Sequence, residues 1–486
     1  MNYKMMCRFF SLICLAETVF FIPALGISIY DRSGGAILGF SIAAAISLAL
    51  YVILKYVSRS TMGVLYAKEG FVCVASSWIL MSLIGALPFV ISGAIPNFVD
   101  ALFEIVSGFT TTGASILSDV ESLPRGILYW RSFSHWVGGM GVLVFLLMLV
   151  PGGKNEGFTM HLFRAESPGP EVGKLVPKMR QTATVLYSTY IILTAVNFLF
   201  LLFGDMDTFE ALCTAFGTAG TGGFGIKNDS LGSYSTYIQN VTTVFMLIFG
   251  VNFSCYYLLI LRQFKSVFRD EELRLFLGIV TVSVTLITVN VFASGIYATA
   301  GESLKHSAFQ VASIISTTGY STTDFDVWPA FSKAILLILM ITGSCAGSTC
   351  GGMKCARVLL IFKNLRRNIH NLLHPRQVQV VRINHKSVDE KVVANTNGYL
   401  AAYVIILFVS FLLISLFDNF TLGTNFSAVM ACFNNIGPGF EGVGPMMNFG
   451  GYTVFSKLVL IFNMLAGRLE IFPLLLLFSR GVWKRN

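Results

Sequence analysis

Ten stretches of roughly twenty mostly apolar residues recur along this chain, and lipid offers a backbone no hydrogen-bond partners, so each stretch must satisfy its own peptide groups. A barrel strand needs only about ten residues, so stretches of this length are helices. They span 9–30, 36–54, 71–94, 126–151, 183–203, 236–261, 273–297, 331–353, 396–417 and 453–479. The first is long, is interrupted by Glu17 and is followed almost at once by the second, so it is kept as structure rather than as a removable leader. With 12% charged residues and a mean hydropathy of +0.72, the chain lacks the polar surface of a cytosolic enzyme. Its nine Cys form no C-x-x-C pair and read as membrane-core residues.

Lys and Arg counted over alternate loops orient the spans. With the N-terminus in the cytoplasm, 26 of the 34 fall inside and seven outside, while the acidic residues favour the outside. Both termini are then cytoplasmic, and the negative outer face would concentrate cations. The basic stretch 363–391 lies inside and suits anionic headgroups of the lipid bilayer or an acidic partner.

Four of the outer connections are more than loops. DALFEIVSGFTTTGAS (100–115), DTFEALCTAFGTAGTGGFG (207–225), ESLKHSAFQVASIISTTGYS (302–321) and TNFSAVMACFNNIGPGFEG (424–442) each place a short apolar stretch before a glycine turn. Asp100, Asp207 and Glu302 stand at or near the starts, where a carboxylate suits the positive end of a helix dipole; Thr424 opens the fourth. A short helix that enters the membrane and ends in such a turn is a re-entrant loop, tolerated only where protein or water meets its polar groups. Four such turns must share a cavity. The expected turn glycines are Gly113, Gly222, Gly319 and Gly437, in phase as an internal repeat. The expected fold is an all-α polytopic membrane protein: two N-terminal helices (1–66), then four helix–pore-helix–helix repeats with pseudo-fourfold symmetry at 67–165, 166–266, 267–386 and 387–486.

This arrangement suits a dehydrated monovalent cation. Stripping water from K⁺ requires replacement oxygens, and carbonyls line a narrow axis only where side chains point away, which Gly permits. TTTGA (110–114) and STTGY (316–320) resemble the K⁺-channel filter. The expected K⁺-binding filter residues are Thr111, Thr112 and Gly113, then Thr221 and Gly222, then Thr317, Thr318 and Gly319, then Ile436 and Gly437. Ile436 stands where two repeats have Thr, so that side is less uniform.

With WRSFSHWVGGMG (130–141), AGSTCGGMKCARVLL (346–360) and GRLEIFPLLLLF (467–478), these motifs make the chain resemble the TrkH-type subunits of the bacterial Trk/Ktr potassium uptake systems over nearly its whole length. The two extra N-terminal spans favour the TrkH type over the shorter KtrB form. Among Gly220, Gly222 and Gly223, Gly222 is chosen because the Gly-Phe step after it resembles the family. The resemblance implies uptake of K⁺ with no organic cofactor, a homodimer in the bacterial cytoplasmic (inner) membrane, and a cytoplasmic ring of nucleotide-binding, TrkA-like regulatory subunits. It also associates Gly113, rather than Ser, with preference for K⁺ over Na⁺. No nucleic-acid partner is expected, and no Walker A or G-x-S-x-G motif suggests an enzyme. The alternative is the K⁺-translocating subunit of an ATP-driven pump complex.

Two elements read as control parts. TGSCAGSTCGGMK (342–354) carries Gly343, Gly347, Ser348, Gly351, Gly352 and Lys354. Gly at every fourth position alone reads as tight helix packing; the resemblance implies a broken helix or intramembrane loop that gates the pore. Arg468 inside 453–479 costs about 2.5–3.5 kcal/mol to insert, and Glu470 at i+2 points elsewhere. The resemblance makes Arg468 a barrier below the filter. His135 and His306 are expected in hydrogen bonds rather than at a metal, Trp130, Trp136 and Trp328 as interfacial anchors, and Glu17 in an interhelical pair or an aqueous pocket.

Overall fold

The structure, a computed structural model, describes residues 3–58, 67–141, 179–377 and 379–483. Helices α1 (Tyr3–Tyr30) and α2 (Gly34–Val57) pack along their length and lean on the first repeat. That repeat comprises α3 (Ala67–Gly85), its continuation α4 (Leu87–Ser92), the short α5 (Phe98–Phe109) and α6 (Arg125–Gly139). The second has α7 (Met179–Leu202), short α8 (Thr208–Gly220), α9 (Thr236–Gly250) and α10 (Phe253–Ile260), followed by α11 (Phe264–Phe268). The third has α12 (Glu271–Ala293), short α13 (Ala300–Ile315), α14 (Ala330–Thr342) and α15 (Cys355–Leu373). A two-residue hairpin, Arg382–Ile383 with Lys386–Ser387, leads to α16 (Glu390–Phe417), short α17 (Leu422–Phe433), α18 (Val454–Arg468), α19 (Phe472–Phe478) and α20 (Arg480–Trp483).

The repeats close into a ring. The second long helix of each packs against the short helix of the next: α6 on α8, α9 on α13, α14 on α17, and α18 back on α5. Each short helix starts at an oxygen cap, from Asn97, Asp207, Thr299 and Thr421, whose side chains accept backbone N–H groups of the first turn. Asp207 is itself a cap, whereas Asp100 and Glu302 stand three residues after theirs.

The expected spans need one correction. Six helices among the described residues are long and apolar enough to cross a membrane. The second long helix of each repeat instead stops after 13 to 15 residues. Helix α9 bends by 91° into α10, α14 gives way to a loop at Gly343, and α18 breaks after Arg468 at Glu470 and Ile471, both with positive φ. Beyond 141 the expected 126–151 span lies outside the described residues, as does the 165/166 repeat boundary; the 266/267 boundary falls inside α11 and the 386/387 boundary inside the hairpin. These breaks leave polar backbone at membrane depth, which survives because protein surrounds it.

Trp130 and Trp328 are 0% and 2% exposed, so they are interior residues and not interfacial anchors. Their indole N–H groups donate to the Gly85 carbonyl and the Tyr297 hydroxyl. Glu17 is buried, and its carboxylate has no hydrogen-bond partner among the described residues, so the interhelical pair is not formed.

Candidate functional site

All four short helices end in the same hydrogen-bonded turn. The N–H groups of Thr112, Gly222, Thr318 and Ile436 reach back five residues, to the carbonyls of Ser107, Gly217, Ser313 and Ala431. Those of Thr111, Thr221, Thr317 and Asn435 reach back three. This is the Schellman closure, and its left-handed residue is ordinarily Gly. Here it is Thr111, Thr221, Thr317 and Asn435, with φ of 56°, 55°, 53° and 54°. A β-branched residue in that region costs on the order of 1–3 kcal/mol, so three Thr there mark a backbone held in place by its surroundings.

Two residues further on, φ turns positive again at Gly113, Gly223, Gly319 and Gly437. This corrects the register of the second turn: Gly223 is the counterpart of the other three glycines, and Gly222 stands level with Thr112, Thr318 and Ile436. Its signal in the sequence is the i, i+2 pairing of a turn residue with Gly, which T-G-G-F satisfies at Thr221 and Gly223.

The glycines fix how the turns meet. A Cβ on Gly113 would run into the Gly222 carbonyl, one on Gly223 into that of Thr318, and one on Gly319 into that of Ile436. One on Gly437 would lie 2.8 Å from the Thr112 carbonyl, closing the circuit. Each turn therefore abuts the carbonyl of the next, and the four converge on one axis. The C-terminal ends of four helices point at it, and their partial negative charge favours a cation.

Side chains around this ring follow twofold, not fourfold, symmetry. The hydroxyls of Thr110 and Thr112 are 2.8 Å apart, and those of Ser316 and Thr318 are 2.7 Å apart. Gly222 and Ile436 have no hydroxyl on the other two sides. Asn435 Nδ2 donates to Thr112 Oγ1 and to the Met464 carbonyl, bridging the fourth turn to the first. Asn435 was missed in the sequence, although Asn is the commonest non-glycine at a left-handed helix end.

His135 supports the second turn. Its Nδ1 lies 2.8 Å from the Gly108 carbonyl and its Nε2 accepts the Phe224 N–H, which fixes the proton on Nδ1. A Cβ on Gly222 would collide with this ring. His306 hydrogen-bonds Thr322, so both histidines stand in hydrogen bonds; no cluster of three or more His, Cys, Asp or Glu that could hold a metal occurs among the described residues. Above the ring lies a cavity of about 130 Å³, lined by the four positive-φ glycines together with Ser115, Arg131 and Asn448.

Below the ring lies segment 343–354, which is not helical; the packing-stripe reading of its glycines fails on that ground. Gly343, Gly347, Gly352 and Lys354 all have positive φ. Glu272 accepts the N–H groups of Ala346 and Ala356, and Ser344 donates to the Ile315 carbonyl. Ser348 donates to the Cys345 carbonyl and Lys354 to that of Cys350. Gly351 N–H donates to Thr317 Oγ1 at 2.7 Å, which bolts the segment to the floor of the third turn. Thr317→Val keeps the branched shape but orphans that buried N–H, a loss of about 1–3 kcal/mol. We expect a several-fold faster ⁸⁶Rb⁺ flux in this variant, and a slower flux would show that the contact does not hold the segment shut.

Arg468 ends α18 directly beneath. Its guanidinium donates to the carbonyls of Thr349, Gly138 and Gly139, with Thr111 Oγ1 at 3.5 Å. Glu470 pairs with Arg357 of α15; it lies past the end of α18, at a positive φ, so its direction is set by the helix break and not by the helical i, i+2 spacing that the sequence argument assumed.

The family model described as "Cation transport protein", TrkH, matches residues 39–484. The chain is 36% identical over 492 residues to the "Trk system potassium uptake protein TrkH" of Escherichia coli (strain K12), covering all of both chains. It is 35% identical over 437 residues to the TrkG protein of the same strain, covering 88% of each. The crystal structure of the potassium transporter TrkH from Vibrio parahaemolyticus superposes with a TM-score of 0.88 at 30% identity over the full length of both chains. With the family model matched from residue 39 to 484 and a relative and a solved structure matched over the whole chain, this chain belongs to the TrkH family of cation transport proteins.

Proposed function

We propose that this chain takes up K⁺ across the bacterial inner membrane through a single-chain pore. The observation that carries the reading is the closed circuit in which each filter glycine abuts the next turn's carbonyl. A dehydrated K⁺ would exchange water for the carbonyls of Thr112, Gly222, Thr318 and Ile436 and of the glycines that follow, with Thr111, Thr221, Thr317 and Asn435 at the floor. Full-length likeness to proteins named for potassium uptake by the Trk system supports this over the pump-subunit alternative.

In this reading both termini are cytoplasmic and the cavity of the filter faces outward, as the Lys and Arg distribution requires. Arg468 and the segment with Gly343, Gly347, Ser348, Gly351, Gly352 and Lys354 form the barrier and the gate. The chain works as a homodimer under a cytoplasmic nucleotide-binding ring. Helix α15, which leads out of the gate and exposes Phe362, Leu365 and Ile369 beside its basic residues, suits contact with that ring.

Purified protein in liposomes is expected to accumulate ⁸⁶Rb⁺ saturably, with K⁺ competing far better than Na⁺. Absence of flux at every potential, with and without the regulatory ring, would refute the reading. External pH adds a second test. Asp326, in the loop after the third filter turn, accepts the Glu441 N–H; burial, then the charge of Asp324, pushes its carboxyl up to about 6. Because this value is raised, the group favours the fold most when protonated and that contribution fades as pH rises through about 6. For cations the sign is opposite: acidification from about pH 7 to about pH 5 removes a negative charge and should lower sub-saturating uptake roughly twofold. Asp326→Asn should remove that portion of the pH dependence, and an unchanged profile would rule Asp326 out.

A further inference from the structure

Behind the first two filter turns lies a buried ion pair, outside the ring of carbonyls itself. Glu104 of α5 and Arg131 of α6 are 0% and 2% exposed, with Arg131 Nη2 and Nε at 2.8 and 2.9 Å from the same carboxylate oxygen. The pair grips the backbone that leaves the filter on two sides. On the first side, the Glu104 carboxylate accepts the Ser115 hydroxyl at 2.9 Å and the Ile116 N–H at 3.0 Å, two and three residues after Gly113. On the second, Arg131 donates to the Gly225 carbonyl at 3.3 Å, and its guanidinium lies 4.2 Å from the centre of the Phe224 ring.

This device has no counterpart in the other repeats. The register of the turns places Thr214, Gln310 and Ala428 at the positions of Glu104, and none of them is charged. Arg131 also lines the cavity above the filter, where a cation must pass. A buried positive charge beside a cation path is acceptable only when it is compensated, and among the described residues the carboxylate paired with Arg131 is that of Glu104. Its planar fork serves Glu104 and Gly225 at once, which the point charge of a lysine cannot reproduce.

We propose that Glu104 and Arg131 are positioning residues: together they set the spacing between the first and second filter turns, and hence K⁺/Na⁺ discrimination, while Glu104 cancels the Arg131 charge at the filter mouth. The proposal rests on the K⁺ pathway above. Its test is ⁸⁶Rb⁺ uptake into liposomes with Na⁺ competition, on the full chain. Glu104→Gln, which leaves the Arg131 charge uncompensated, should lower uptake at least tenfold. Adding Arg131→Gln should restore much of the rate but not the K⁺/Na⁺ preference, which should stay at least fivefold below wild type. Arg131→Lys keeps the charge balance and loses the fork, so it should lose preference with little loss of rate, and it carries the test if Glu104→Gln fails to assemble. Wild-type preference retained in Arg131→Lys and in the double variant would overturn the proposal. No uptake by the wild type would instead sink the K⁺ pathway itself, so the two failures are distinguishable.

Discussion

Arg468→Ala should raise ⁸⁶Rb⁺ flux by one to two orders of magnitude. The guanidinium places a fixed positive charge directly below the convergent helix ends and touches Thr111 of the first turn. A cation about 7 Å away at an effective dielectric of about 20 meets a barrier of about 2 kcal/mol, or roughly 30-fold in rate. Arg468 also donates to the Thr349 carbonyl, so its loss frees segment 343–354 from α18. Arg468→Lys separates the two effects. It retains the charge but cannot reach the Thr349, Gly138 and Gly139 carbonyls together, so its flux should fall between those of the wild type and Arg468→Ala. Equal or lower flux in Arg468→Ala would remove Arg468 from the barrier.

The other large effect is on selectivity. Gly113→Ser should reduce the K⁺/Na⁺ preference at least tenfold with the protein still folded. Gly113 has φ of +80°, which costs an L-residue about 1–2 kcal/mol, and its new Cβ would push into the Gly222 carbonyl. Tenfold discrimination is only about 1.4 kcal/mol, so displacing one carbonyl by a fraction of an ångström consumes it. Gly278→Ser is the control: no atom lies within 4 Å of a Cβ there, on the exposed side of α12. Sodium competition curves for the two variants should diverge, and overlapping curves would detach Gly113 from the filter.

Much of this protein is readable without coordinates because the signals are local. Apolar runs mark the spans, and in-phase Gly turns mark the re-entrant loops, since a helix that stops inside a membrane needs a residue that can turn. Other features fail for the same reason in reverse. The continuous apolarity of 331–353 and 453–479 hides their breaks, because a buried loop and a buried helix both select small or apolar residues. Trp130 and Trp328 look interfacial in a linear reading, and only tertiary packing encloses them: Trp130 sits against Phe21 of α1, Phe40 of α2 and Phe109 of α5.

The sequence by itself determined the all-helical membrane class, the fourfold repeat and the candidate filter segments, since each follows from the cost of exposing peptide groups to lipid over a short stretch of chain. Tertiary structure alone decided that Gly223, not Gly222, is level with Gly113, that Asn435 joins the fourth turn to the first, and that Thr317 and Arg468 both contact segment 343–354. Those relations join residues from 34 to 323 positions apart. They are set by φ angles and by carbonyl-to-glycine distances across the ring, which leave almost no periodic trace in the order of amino acids.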